Sequence, residues 1–250
     1  MDDITLFCAG STRATRYACD ILSSRGINTI CEPCDTVKFA LLDVPSLGPA
    51  NTLRGGEGLR DVLNAIPNNV TLIGGRLDHP MLEKYPKYDL LKTESYLKEN
   101  ARITAYCALH IIGEALPVTL EDCPVLVIGW GRIGKVLTSL LVRIGANVTV
   151  ATRDIRSAAS LTKLGISAVL MHGIIPDHYR LIVNTAPATV LSNEAVSLCK
   201  DAVKIDLAST IGLPGDDVIW ATGLPGRCAP ESSGKLIARY VLEYLKENDP

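Results

Sequence analysis

Six residues, Gly129-Trp130-Gly131-Arg132-Ile133-Gly134, constrain this chain of 250 residues more than any other stretch. The apolar run Val125-Leu126-Val127-Ile128 precedes them. An amphipathic segment carrying Val136, Leu137, Leu140, Leu141 and Ile144 follows, and Asn147-Val148-Thr149-Val150 arrives after Gly145. Strand, glycine turn, helix and second strand form the order of a βαβ unit that cradles a dinucleotide. Gly129 turns the chain off the strand, Gly131 lets backbone N–H groups approach a pyrophosphate, and Gly134 lets the helix pack against the sheet. The pyrophosphate lies at the positive end of the helix that begins near Arg132 and Ile133. A bare Gly-x-Gly-x-x-Gly is weak evidence. Its flanking strands and helix give it weight over a βαβ unit that binds nothing.

The end of the second strand bears on which dinucleotide binds. NAD-binding units carry an acid there for the adenosine ribose, whereas NADP-binding units offer Arg and small hydroxyls to the 2′-phosphate. Counting along the turn and helix puts Thr152 at the acid's position, with Arg153 next. A guanidinium gives a phosphate a bidentate fork, so NADP is favoured. Asp154 is the competing acid and keeps NAD open; solvation of the strand end is the bland reading of both charges.

The remaining composition excludes several classes. The chain is 47% apolar and 21% charged, as in ordinary globular proteins. A net charge of −2 gives no basic field for nucleic acid. Met1-Asp2-Asp3 has no basic region typical of a signal peptide, and no apolar run approaches a membrane span. Of eight cysteines, only Cys31 and Cys34 form a C-x-x-C, with no second pair or nearby His for zinc. These features predict no metal, idle reduced thiols and a cytoplasmic protein.

Strand and helix patterns alternate along the chain, predicting an α/β fold with two open, mainly parallel sheets. The first begins with Ile4-Thr5-Leu6-Phe7-Cys8 and a turn at Gly10, then a helix to about Arg25 stopped by Gly26. Further strands are expected at 28–31, 38–44 and 70–73, with a helix at 57–66. With one glycine in its first turn, this domain reads as flavodoxin-like or Rossmann-like without a dinucleotide. A Tyr- and Lys-rich stretch, 84–98, leads to a connecting helix at 102–115 that Pro117 ends. The second domain is the NAD(P)-binding Rossmann unit, with later strands at 181–184, 203–207 and 218–222. A last helix, 230–246, bears Leu236, Ile237, Tyr240, Val241 and Leu245 on one face and should pack back on the first domain. The expected division is 1–117, 118–230 and 231–250, with a ligand cleft between the two domains.

Later motifs narrow the reading. Asn184-Thr185-Ala186-Pro187 forms a polar loop over the cofactor, Lys204-Ile205-Asp206-Leu207-Ala208-Ser209 ends a strand, and Gly223-Leu224-Pro225-Gly226 precedes Ala229-Pro230-Glu231-Ser232-Ser233-Gly234. In this order, with the glycine turn, they resemble the dipicolinate synthase A-subunit family, most clearly over residues 84–245. The resemblance implies a sporulation enzyme that oxidises dihydrodipicolinate by hydride transfer to NADP, completed by a flavoprotein-like B subunit. It also implies a substrate motif of Asn followed by Pro-Thr-Ala-Glu-Gly. Here Asn100, Thr104 and Ala105 match, while Ile103, Tyr106 and Cys107 depart, which bears on the substrate and not the cofactor. The chain is also shorter than the family pattern, mostly in its first domain.

A dicarboxylate substrate needs cationic or hydrogen-bonding groups. Arg13, after Gly10-Ser11-Thr12, is the foremost candidate, with Arg76 behind it; the bland reading of each is a solvated charge. Asn100 and Thr104 offer amide and hydroxyl. Ser232 and Ser233 offer hydroxyls near a helix N-terminus, where capping is the competing role. Asp206 reads as a strand-end cap before it reads as a base. No residue is assigned proton transfer. A 2-hydroxyacid dehydrogenase would need a late His, yet His79, His110, His172 and His178 all precede the fifth Rossmann strand or lie outside it. Other readings are a dehydrogenase of another small carboxylate and a non-catalytic regulatory subunit that binds NADP. The expected assembly is a homo-oligomer.

Overall fold

The computed structural model describes residues 4–48, 52, 54, 58–175 and 178–248. The chain divides into two compact units, 1–100 with 225–250, and 101–224. The sequence-based boundary at 117 therefore lies beyond the structural one. The connecting helix is longer than its apolar spacing predicts and runs across residues 100 and 101.

In the first unit, β1 (Thr5–Cys8), β2 (Asn28–Ile30), β3 (Phe39–Leu41), β4 (Thr71–Gly74) and β5 (Lys87–Asp89) form a parallel sheet in the order β2-β1-β3-β4-β5. That is the flavodoxin-like order, with a reversal of direction between β1 and β3. Helix α1 (Arg13–Ser24) is capped by the Thr12 hydroxyl, which accepts from the Thr15 amide, and buries Ala14, Thr15, Ala18 and Leu22 at helical spacing. Gly26, at φ +87°, ends it. Helix α2 spans Leu59–Ala65; Glu57, its expected first residue, and Met1-Asp2-Asp3 lie outside the described residues. One face of the sheet packs on Val37, Leu59, Val62, Leu63 and Leu82. Fully burying each such side chain is worth about 1.5–3 kcal/mol.

The stretch 84–98 is more structured than its polar composition suggests. It contains β5, a 3-10 turn at Leu90–Lys92 and the start of α3 (Glu94–Ala115). The Asp89 carboxylate accepts from the Leu91 amide and caps that turn.

The second unit holds a six-stranded parallel sheet in the order β11-β10-β9-β6-β7-β8, the Rossmann arrangement. Its strands are β6 (Pro124–Ile128), β7 (Asn147–Thr152), β8 (Ser167–Leu170), β9 (Leu181–Asn184), β10 (Val203–Asp206) and β11 (Val218–Trp220). Val125, Leu126, Val127 and Ile128 are all buried, as a central strand covered on both faces requires. Helix α4 (Arg132–Arg143) buries Gly134, Leu137, Thr138 and Leu141, whereas Ile144, expected on that face, is exposed. Helices α5 (Ile155–Lys163) and α6 (Asn193–Ser197) complete the alternation.

Helices α7 (Leu224–Cys228) and α8 (Pro230–Asn248) return to the first unit. The expected face Leu236, Ile237, Tyr240, Val241 and Leu245 is buried throughout. Gly234 makes the approach to α1 possible: a Cβ there would stand 2.5 Å from the Tyr17 Cβ and 2.7 Å from the Ala14 carbonyl. Tyr244 stacks on Tyr88 at 4.2 Å, Tyr240 meets Tyr96 edge-on at 5.3 Å, and Arg239 pairs with Glu99. Ser232 and Ser233 lie inside the first turns rather than at the cap, with the Ser233 amide already donating to Ala229.

The expectation of uniformly reduced thiols fails in the first unit. Cys8 on β1 and Cys19 on α1 are joined by a disulfide.

Candidate functional site

The turn between β6 and α4 is shaped by what its glycines permit. Gly129 sits at φ +103°, a conformation that favours glycine, and a Cβ there would lie 2.6 Å from the Thr185 hydroxyl. A Cβ on Gly134 would overlap the Gly129 carbonyl oxygen, so only glycine lets the first turn of α4 close against the strand end. Gly131 is the N-cap residue, offers no side-chain cap, and a Cβ there would meet open space. Each glycine therefore differs: the fold requires Gly129 and Gly134 and sets no steric demand at Gly131. Beside them the Lys135 ammonium stands 5.9 Å from the centre of the Trp130 ring.

The loop after β9 is clasped onto this turn. The Thr185 amide and hydroxyl both donate to the Ile128 carbonyl, at 2.8 and 3.0 Å. The Asn184 amide group donates to Ala186 O and to Asp206 at 3.0 Å each, and its carbonyl accepts from the Ala186 amide. Asn184 and Asp206 are fully buried. Asp206 also accepts from the amides of Ala208, Gly212 and Leu213. It is a structural hub with its oxygens engaged, and Asn184 and Thr185 orient their loop through the same side chains predicted to face the cofactor. Ala186 and Pro187 lie nearer the surface.

At the end of β7, Thr152 is buried and its hydroxyl accepts from the Asp154 amide at 3.3 Å. Arg153 is exposed. Asp154, the competing acid, caps α5: its carboxylate accepts from the Arg156 amide (3.2 Å), the Ser157 amide (2.9 Å) and the Ser157 hydroxyl (2.7 Å). The Ser157 hydroxyl, and then the two amides, hold this carboxyl below its ordinary pKa. The sequence carried that signal in the hydroxyl three residues after an acid at a helix start.

Because β6 lies between β9 and β7, the residues from 129–134, 152–153 and 184–187 gather along one C-terminal sheet edge. The proposed substrate residues are distributed otherwise. Arg13 opens α1 and is exposed, and Ser232 and the buried Ser233 lie on α8, all in the first unit. Asn100 is half-buried and Thr104, one helical turn on, is buried. The departures from the family motif fall on α3: Tyr106 is exposed and Cys107 buried. Arg76 is exposed at φ +58°, with its amide bonded to Asp89. His110 is exposed and lies 3.3 Å from Glu114.

Sequence reasoning missed Asp43. This fully buried residue follows β3 at the reversal point of the first sheet. It accepts from the Ser11 amide (3.3 Å), the Thr12 amide (3.1 Å), the Thr12 hydroxyl (2.6 Å) and the Thr15 hydroxyl. A Cβ on Gly10 would lie 2.6 Å from its Oδ1. A carboxylate of the chain itself thus occupies the anion position at the head of α1.

The chain is 29% identical to the A subunit of dipicolinate synthase from Bacillus subtilis over 142 residues, 52% of this chain and 47% of that protein. The match thus spans about half the length of that relative. The crystal structure of the dipicolinate synthase A subunit from Bacillus halodurans superposes with a TM-score of 0.84 at 18% identity, covering 97% of this chain and 98% of that one. Its Bacillus subtilis counterpart gives 0.81 at 19% identity, with 99% and 97% covered. A transhydrogenase from Sinorhizobium meliloti gives 0.71 at 14% identity, with 97% and 93% covered. No family model matches the chain. The resemblance read from the motifs is therefore present in sequence and in fold, and the α/β architecture with two parallel-sheet domains is shared with these solved structures.

Proposed function

We propose that this chain is an NADP-dependent oxidoreductase of the dipicolinate synthase A type, which oxidises dihydrodipicolinate to dipicolinate in sporulation. One observation carries the cofactor reading. The glycine turn is tied by the Thr185 hydroxyl, beside a β7 end where Arg153 is exposed and Asp154 is committed to capping α5. An acid engaged in three hydrogen bonds of its own helix is a poor acceptor for ribose hydroxyls, while Arg153 suits a 2′-phosphate.

Bound NADP supplies the hydride acceptor. In the second unit Gly129, Gly131, Arg132, Ile133 and Gly134 would present the head of α4 to the pyrophosphate, and the 184–187 loop would border the cofactor. Arg13 offers a guanidinium to a substrate carboxylate. Asn100 and Thr104, one turn apart on α3, and Ser232 and Ser233 at the start of α8 offer neutral donors. Loss of one hydride and one proton makes the ring aromatic. A flavoprotein-like B subunit is the proposed partner, within a cytoplasmic homo-oligomer. Among the described residues no helix is long and apolar enough to cross a membrane.

Tyr106 and Cys107 favour a second reading in which the same cofactor site serves another small carboxylate or a regulatory role. Fluorescence titration with NADPH and NADH tests the cofactor. NADPH should bind tightly, and Arg153→Ala should weaken it roughly tenfold or more while sparing NADH, as loss of a charged hydrogen bond implies. Equal weakening of both nucleotides would overturn NADP selectivity. Conversion of fresh dihydrodipicolinate with NADP and a B-type partner tests the substrate; persistent absence of the aromatic diacid removes it.

A further inference from the structure

Four of the eight cysteines fall within the first 34 residues, and the fold gathers them at one end of the first sheet. Cys8 closes β1 and is bonded to Cys19 within α1. Neighbouring β2 runs parallel to β1 with Phe7 opposite Ile30. Cys8 and Cys31 each follow immediately on that pair, Cys31 in the bend that ends β2, so the two cysteines stand at neighbouring strand ends. Cys31 and Cys34 are exposed thiols. The Cys34 sulfur lies 3.1 Å from the Thr36 hydroxyl, and that hydrogen bond, followed by the Thr36 amide, lowers its pKa towards the reactive thiolate. Among the described residues no group of three or more Cys, His, Asp or Glu is arranged to hold a metal ion. Two exposed thiols beside a disulfide bring together the reactants of thiol–disulfide exchange.

We propose that Cys8, Cys19, Cys31 and Cys34 form an intramolecular thiol–disulfide exchange site in which the covalent tie between β1 and α1 is traded for a Cys31–Cys34 bond. The Cys31 thiolate attacks the Cys8 sulfur, forming Cys8–Cys31 and releasing Cys19 as a thiolate. The Cys34 thiolate then attacks the Cys31 sulfur, forming Cys31–Cys34 and releasing Cys8 as a thiolate. Two thiols and one disulfide enter and leave, the two protons pass to the released sulfurs, and no outside oxidant or reductant is consumed. One state pins α1 to β1 close to Ser11, Thr12 and Arg13. The other frees α1 from that covalent link and staples the loop after β2.

The sequence makes the test direct. Tryptic cleavage after Arg13, Arg16, Arg25 and Lys38 places Cys8, Cys19 and the Cys31/Cys34 pair on three separate peptides. Purified full-length protein is oxidised mildly, then held at pH 8, with samples taken over time, blocked with N-ethylmaleimide and mapped without reduction. The expected result is loss of the Cys8–Cys19 cross-linked pair with matching growth of an internally bonded Cys31–Cys34 peptide. Cys34→Ser should trap the Cys8–Cys31 mixed disulfide, and Cys31→Ser should leave Cys8–Cys19 unchanged. Both variants alter exposed positions, and far-ultraviolet circular dichroism checks their fold. A Cys8–Cys19 bond that persists equally in all three proteins, or four free thiols throughout, overturns the proposal.

Discussion

The two units each open with a parallel strand, a tight turn and a helix, yet they use the head of that helix in opposite ways. After β1, the turn at Gly10-Ser11-Thr12 is closed by Asp43, whose buried carboxylate takes two amides and two hydroxyls. After β6, Gly131 heads α4 with no side-chain cap, and the neighbouring loop is fastened by Thr185, Asn184 and Asp206. One turn carries its anion as part of the chain; the other, in the function proposed above, takes its anion from the cofactor. On that proposal the same backbone dipole supports stability in the first unit and ligand recognition in the second.

The strongest way to break this contrast is to remove the resident anion. Asp43→Ala should destabilise the first unit by about 2–5 kcal/mol, because it leaves amides and hydroxyls without their acceptor at about 1–3 kcal/mol for each one left buried and unsatisfied. The effect should appear in thermal or urea unfolding. Millimolar sulfate should restore part of the loss by binding the exposed amides. A cost below about 1 kcal/mol would mean that the carboxylate is incidental.

Gly131→Val sharpens the other side. With open space around it, the added side chain should leave the melting temperature nearly unchanged. It should still reduce NADPH affinity by about tenfold to a hundredfold, since one lost contact at this scale is worth about 1.4–2.8 kcal/mol. Gly134→Val is the control in which folding of the second unit suffers too, because its Cβ meets the Gly129 carbonyl. Overpacking of this kind costs about 1–3 kcal/mol.

The smallest effect is electrostatic. The Asp154 carboxyl titrates below its unfolded value, so its support for α5 is complete above the unfolded pKa and declines as pH falls through the lowered folded one. The protection factors of the Arg156 and Ser157 amides, their exchange rates taken relative to the intrinsic rate at each pH, should therefore fall in acid, and Asp154→Asn should flatten that dependence. An unchanged acid profile in the variant would detach Asp154 from the cap.

Features written in local spacing were legible. The β6 strand and its glycines stand side by side in sequence, and β9 ends at Asn184 as its apolar run predicts. The apolar stripe of α8 is as plain in the sequence as in the packing. Short edge elements were not. Lys87–Asp89 forms β5 with no apolar alternation, and Ser167–Leu170 is an equally inconspicuous edge strand. Asp43 was invisible for a different reason: its partners lie 28 to 32 residues away, and no local pattern records a contact made through the sheet. Cys8 and Cys19 likewise meet only because a strand and the helix after it pack together. The geometry of the glycine turn was legible where spacing alone sets it, and the loop after β9 was obscure because side chains such as Asn184 hold it through their own hydrogen bonds.

The close crossing at Gly234 also orders events during synthesis. Helix α1 leaves the ribosome well before its cover: the helix that packs on Ala14, Tyr17 and Ala18 follows more than two hundred residues later. At translation speeds of about 5–20 residues per second, that delay is on the order of tens of seconds. The second unit has its whole sheet available before α8 emerges. Until α8 emerges, the face of α1 that it covers in the folded protein has no partner from that helix, although every strand of both sheets has already been made.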